Sequence, residues 1–124
     1  MASILIVDDV QAIHDMLTGL ITPMGHTCEG ATTGNKGLEL FKTGKYDVVL
    51  ADYSMEPMNG LQLMEGIFRI DPSAVVIVMT GYNNEETCKA IMDGGAYAIV
   101  EKPFELQALM QKVEEAIQAH SEKK

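Results

Sequence analysis

The chain has 124 residues, 47% of them hydrophobic and 22% charged, which describes one ordinary globular domain able to bury about two thirds of its unfolded surface. A net charge of −9 argues against direct binding of nucleic acid or an anionic membrane, because like charge repels. No apolar run approaches the ~18 residues of a membrane span, the amino terminus lacks a signal peptide's basic start, and Cys28 and Cys88 have neither metal nor redox spacing, so a cytoplasmic chain with reduced thiols is expected.

In chain order, Ile4 to Val7 is a short apolar run that reads as a strand buried on both faces and stops at Asp8 and Asp9. From Val10, Ile13, Met16, Leu17, Leu20 and Ile21 recur at helical spacing until Pro23 and Gly25 close the segment. His26 to Ala31 is a weaker strand. Thr33 can cap a helix carrying Leu38 and Phe41 and ended by Gly44. Val48 to Ala51 is again an apolar, β-branched run, and it stops at Asp52; the Pro, Asn and Gly that follow are turn chemistry. Asn59 or Gly60 opens a helix striped by Leu61, Met64, Ile67 and Phe68, which Asp71-Pro72 ends. Ala74 to Met79 is the most strand-like run and stops at Thr80-Gly81. Asn83 or Asn84 caps a short helix through Cys88, Ile91 and Met92, ended by Gly94-Gly95, with Glu85-Glu86 complementing its N-terminus. Tyr97 to Val100 is the last strand, before Glu101-Lys102-Pro103. Leu106, Leu109, Met110, Val113 and Ile117 stripe a final helix to about His120, leaving 121–124 as a frayed tail beyond a domain of residues 1–120.

Five strands alternating with five helices predict right-handed crossovers and a parallel sheet covered on both faces. In such a sheet all the carboxyl ends lie on one edge, so Asp8, Asp9, Asp52, Thr80 and Lys102 can converge although they are scattered along the chain. Three carboxylates a few ångströms apart repel by about 4 kcal/mol per pair at an effective dielectric near 20, so positive charge must sit among them. Lys102 supplies one such charge, and an oxygen-rich acidic cluster suits Mg²⁺ or Mn²⁺. With a divalent ion beside it, Asp52 can act as a nucleophile toward phosphorus and become an aspartyl phosphate, with the Thr80 hydroxyl and the Lys102 ammonium as donors to the phosphoryl oxygens.

Taken together, Val7-Asp8-Asp9, Asp52 followed by Met55, Met58 and Gly60, Thr80-Gly81, Gly95-Ala96 and Lys102-Pro103-Phe104 resemble the receiver domain of two-component response regulators, the CheY-like family, over nearly the whole chain. The resemblance implies an α/β flavodoxin-like (βα)5 three-layer sandwich with a five-stranded parallel sheet in the order 2-1-3-4-5. It implies phosphotransfer onto Asp52 from the phosphohistidine of a sensor histidine kinase or phosphotransfer protein. It further implies a metal held by Asp9, Asp52 and the Ser54 backbone carbonyl with Asp8 assisting, and contacts from Thr80 and Lys102 to the phosphoryl group. The expected output is an effector protein, or an output domain outside this stretch, read through the fourth helix, fifth strand and fifth helix. The chain is then a signalling switch, not a metabolic enzyme, and a monomer or a phosphorylation-dependent dimer.

Two positions depart from that pattern. Ile99 stands where the family usually carries an aromatic switch residue, and Tyr97 is two residues off that position. Glu56 precedes Pro57 where proline more often comes first, adding a carboxylate near the metal. Ser54 and Tyr82 occupy positions at which the family tunes phosphoryl lifetime. A rival class, Mg²⁺-dependent phosphohydrolases of the haloacid-dehalogenase sort, puts its nucleophile after the first strand in an Asp-x-Asp motif, whereas Asp8 and Asp9 are adjacent. Gly30 to Gly37 lacks the Gly-Lys-Ser/Thr end of a phosphate loop. The histidines share no metal spacing and read as surface or partly buried, and the methionines read as core filling.

Overall fold

Period-two alternation within the apolar runs decides the architecture. In the computed structural model, which describes residues 2–81 and 84–122, the strands are β1 (Ser3–Val7), β2 (Thr27–Ala31), β3 (Val48–Asp52), β4 (Val76–Thr80) and β5 (Ala98–Glu101). The helices are α1 (Gln11–Ile21), α2 (Gly34–Thr43), α3 (Gly60–Ile70), α4 (Glu85–Asp93) and α5 (Leu106–Glu122), with one 3-10 turn at Thr22–Met24. The sheet is parallel in the order β2-β1-β3-β4-β5, with Ile6 opposite Leu50, Leu50 opposite Ile77 and Thr80 opposite Glu101. This is the flavodoxin-like order expected.

Alternate residues of the central strands feed two cores. Ile4, Ile6, Val48, Leu50, Ile77 and Met79 pack against Leu17 and Ile21 of α1 and Leu109, Val113 and Ala116 of α5. Leu5, Val7, Val49, Ala51, Val76 and Val78 face the other way, onto Phe41 of α2, Leu63, Met64 and Ile67 of α3 and Ile91 of α4. Burying both faces of β3 and β4 explains why those runs are continuously apolar. The edge strand β2 is mostly exposed, and its sequence is correspondingly weaker in apolar content.

Helix starts follow the caps read from sequence, with one addition. Thr33 accepts from the Lys36 amide, and Asn84 accepts from the Thr87 amide at 2.7 Å; Asn83, the alternative cap, lies outside the described residues, as does Tyr82. Asn59 and Gln62 form a reciprocal capping box at α3 that the sequence reading missed. At the other end of α4, Gly95 takes a φ of +107°, the left-handed conformation that glycine adopts without strain.

Several boundaries and faces differ from expectation. β4 starts two residues later and ends one residue later than Ala74–Met79, so Thr80 closes the strand instead of following it, and β5 is shifted one residue beyond Tyr97–Val100. In α3 the fully buried residues are Leu63, Met64 and Ile67, whereas Leu61 and Phe68 are half-buried. In α5, Leu106 is 46% exposed and the buried face is Leu109, Val113, Ala116 and His120. That helix continues through Glu122, two residues past the predicted stop near His120, which is the last residue of its buried face. His14 and His120 are buried, beyond the surface or partly buried placement expected of the histidines.

Candidate functional site

The carboxyl ends of β1, β3, β4 and β5 meet on one edge of the sheet, and each delivers a polar group. Asp8 and Asp9 follow β1, Asp52 ends β3, Thr80 ends β4, and Lys102 follows β5. Asp8, Asp52 and Thr80 are buried, Asp9 is exposed, and one oxygen from each of Asp8, Asp9 and Asp52 lies within 4.8 Å of the others. Among the described residues this is the one such cluster of potential metal-binding side chains. The Lys102 ammonium spans two of the three acids, with Nζ 2.9 Å from Asp8 Oδ2 and 3.2 Å from Asp52 Oδ1. Its backbone amide donates to the Thr80 carbonyl at 2.9 Å, so the β4 to β5 ladder carries the lysine to this edge. The Lys102–Pro103 peptide is cis.

The loop after Asp52 is tied down by residues that otherwise read as core filling or turn chemistry. The Tyr53 amide donates to the Met79 carbonyl at 2.8 Å, and the Gly60 amide closes the loop onto the Tyr53 carbonyl at 3.0 Å. Met55 is buried in the core beneath the loop, and Met58 packs where a Cβ on Gly34 would stand, against the first turn of α2. Gly60 is required by close approach, since a Cβ there would lie 2.6 Å from the Asp52 carbonyl oxygen and 2.8 Å from Tyr53 Cα. Asp52 is thereby held at a fixed position with its Oδ1 facing the Ser54 amide at 3.4 Å. Beside it an open groove of about 400 Å³ is lined by Asp9, Tyr53, Ser54, Met55, Glu56 and Asn59.

The charge of the cluster is not balanced. Burial first, and the neighbouring Asp8 carboxylate second, push the Asp52 carboxyl above its ordinary range against the opposing pull of Lys102 and the Ser54 amide. Burial alone would lower Lys102, but hydrogen bonds and charges from Asp8 and Asp52 outweigh it and hold the ammonium above its usual value. One cation against three carboxylates leaves room for further positive charge, and an all-oxygen donor set of this kind fits a hard divalent ion such as Mg²⁺.

One supporting residue was not singled out from the sequence. His14 of α1 places Nε2 2.6 Å from the Asp8 backbone carbonyl oxygen. Its spacing from Leu17 and Ile21, three and seven residues on, was the legible signal, because it puts the ring on the buried face of the helix. Ile99, where the resemblance implies an aromatic switch residue, is half-buried against the α2, α3 and α4 core, and Tyr97, just before β5, is 37% exposed.

The family model described as the response regulator receiver domain matches residues 4–114. The chemotaxis protein CheY of Thermotoga maritima is 35% identical over 103 residues, covering 82% of this chain and 86% of that protein. The DNA-binding transcriptional regulator NtrC of Azospirillum brasilense is 34% identical over 97% of this chain, which spans only 25% of that regulator's length. The CheY-like receiver domain protein from Methanospirillum hungatei JF-1 superposes with a TM-score of 0.94 at 28% identity, covering 100% of this chain and 99% of that one. The chain belongs to the receiver domain family of two-component response regulators, a family of signalling switches.

Proposed function

We propose that this receiver accepts a phosphoryl group on Asp52 in a Mg²⁺-dependent reaction and uses the resulting aspartyl phosphate to shift its conformational population. The observation that carries this reading is the Lys102 ammonium held between Asp8 and Asp52 while Asp9 completes the acidic cluster. An Asp52 carboxylate oxygen attacks the phosphorus of a phosphohistidine, an O–P bond forms and the N–P bond breaks. The electron pair stays on the donor imidazole nitrogen, which takes up a proton. Asp8, Asp9, Asp52 and the Ser54 backbone carbonyl are the groups that would hold the ion. When bound, Mg²⁺ supplies charge neutralisation for nucleophile and phosphoryl oxygens alike. Thr80 and Lys102 donate to the phosphoryl oxygens; water later attacks phosphorus, the Asp52 O–P bond breaks, inorganic phosphate leaves and Asp52 returns to its carboxylate.

The donor is a sensor histidine kinase or a phosphotransfer protein, and the output leaves through α4, β5 and α5. Support for that surface comes from Met92 of α4, Tyr97 before β5 and Leu106 of α5, three large apolar side chains left 47%, 37% and 46% exposed. No helix among the described residues is long and apolar enough to cross a membrane.

Incubation with acetyl phosphate, with and without Mg²⁺, followed by intact-mass measurement tests the reading. A phosphoryl adduct is expected with Mg²⁺ in the wild type and in no sample of Asp52→Asn. Absence of the adduct in the wild type, or its survival in Asp52→Asn, would sink the proposal. Since the chain has no Trp, mass or NMR is the appropriate readout.

A further inference from the structure

His14 is buried and has no place in the phosphoryl chemistry, yet its ring reaches the acid pair. A carbonyl oxygen only accepts hydrogen bonds, so the 2.6 Å contact to the Asp8 carbonyl means that Nε2 carries a proton and donates it. The edge strand makes room for the ring with Gly30, where a Cβ would overlap Nδ1 and stand 2.8 Å from Cε1. The imidazole is therefore confined between α1 and β2 with its donor aimed at one backbone oxygen.

That oxygen is a consequential one. The Asp8 carbonyl and the Asp9 amide share one rigid peptide plane, so fixing the carbonyl also fixes the direction in which Asp9 leaves the strand. Every other polar group of Asp8 is already engaged: its amide donates to the Ala31 carbonyl at 3.1 Å, Oδ1 accepts from the Val10 amide at 2.9 Å, and Oδ2 accepts from Lys102 Nζ at 2.9 Å. Asp9, by contrast, is exposed, and the described side-chain hydrogen bonds give its carboxylate no partner to orient it. We propose that His14 is a positioning residue for divalent-cation binding, locking the Asp8–Asp9 peptide so that the exposed Asp9 carboxylate meets those of Asp8 and Asp52. The proposal rests on the reading that this acidic cluster holds Mg²⁺. Groups that orient ligands from outside the first contact layer typically change metal affinity by about 10- to 100-fold.

The test measures Mn²⁺ affinity of the full chain by the electron paramagnetic resonance of the free ion, with Mg²⁺ affinity from competition. His14→Leu removes the donor and is expected to weaken Mn²⁺ binding by about tenfold. His14→Gln keeps an N–H donor at similar reach and is expected to stay within about threefold of the wild type. A role in packing alone would lower the melting temperature of both variants while leaving their Mn²⁺ affinities at the wild-type value, and that result overturns the proposal. A wild-type measurement covers the case in which His14→Leu does not fold. The ¹⁵N spectrum of His14 is expected to report the Nε2–H tautomer and to shift with Mg²⁺ at the midpoint seen for the Asp9 amide; an Nδ1–H tautomer, or a ring blind to Mg²⁺, overturns it. If the wild type binds neither ion, the cation reading of the cluster fails and this inference falls with it, whereas equal binding by the wild type and a folded His14→Leu defeats only this inference.

Discussion

Asp52 and Lys102 carry opposite signs of the same electrostatic problem, and their substitutions are expected to act in opposite directions. The Asp52 carboxyl, raised by burial and by Asp8, binds its proton more tightly in the folded chain than in the unfolded one. Between the ordinary carboxylate value and the raised one the folded state holds more protons, so stability falls as pH rises through that window. In the absence of divalent ions Asp52→Asn is expected to stabilise the chain by on the order of 1 kcal/mol at neutral pH and by almost nothing near about pH 3, where both states are protonated. Urea unfolding at the two pH values measures the difference; a destabilised Asn variant at neutral pH would contradict the charge imbalance. Lys102→Ala strips the fully buried Asp8 of its cation and is expected to cost about 1–3 kcal/mol under the same conditions, with part of the loss recovered on adding Mg²⁺.

At the scale of elements, the site depends on how β3 hands over to α3. The loop must turn from the strand end, return its Gly60 amide to Tyr53, and enter a helix through the Asn59–Gln62 capping box. Gly60→Ala forces a Cβ to within 2.6 Å of the Asp52 carbonyl oxygen, so either the backbone of the nucleophile moves or the helix start does. A cost of about 1–3 kcal/mol is expected, with altered amide resonances at Asp52 and Tyr53. Asn59→Ala removes the cap without that clash, and chemical denaturation is expected to register about 1 kcal/mol while the Asp52 resonance stays in place. The comparison separates damage to the helix from damage to the site. Helical periodicity read in isolation misjudged two inward faces by about one residue, at Leu63 in α3 and at Ala116 and His120 in α5, because which arc faces inward is set by the sheet below and not by the helix itself.

For the whole molecule, the parallel sheet concentrates negative charge on one edge, and a ligand that binds only the folded edge stabilises the entire fold by mass action. Mg²⁺ at about 100 times its dissociation constant is expected to add ~2.7 kcal/mol to unfolding, raising the melting temperature in a calorimetric scan. Asp9→Asn is expected to abolish most of that gain while leaving the fold intact, since Asp9 is exposed and follows β1. A gain of equal size in Asp9→Asn would place the ion elsewhere.

Much of this architecture was legible in one dimension. Continuous apolar runs at β1, β3 and β4 announce strands buried on both faces, and Thr33, Asn84 and the Gly94-Gly95 pair announce helix ends, because those choices depend on local sterics and hydrogen bonding within a few residues. The convergence of Asp8, Asp9, Asp52, Thr80 and Lys102 on one edge follows from parallel topology, so it too could be anticipated. What only the tertiary structure decided is which long-range partners each group meets. Lys102 bridges Asp8 and Asp52, His14 turns inward to the Asp8 carbonyl through the space left by Gly30, and His120 reaches Asp47 at 3.2 Å across the opposite end of the sheet. Those contacts join residues on different elements, and no local pattern records them: they exist only once packing has fixed the distance between helix and strand.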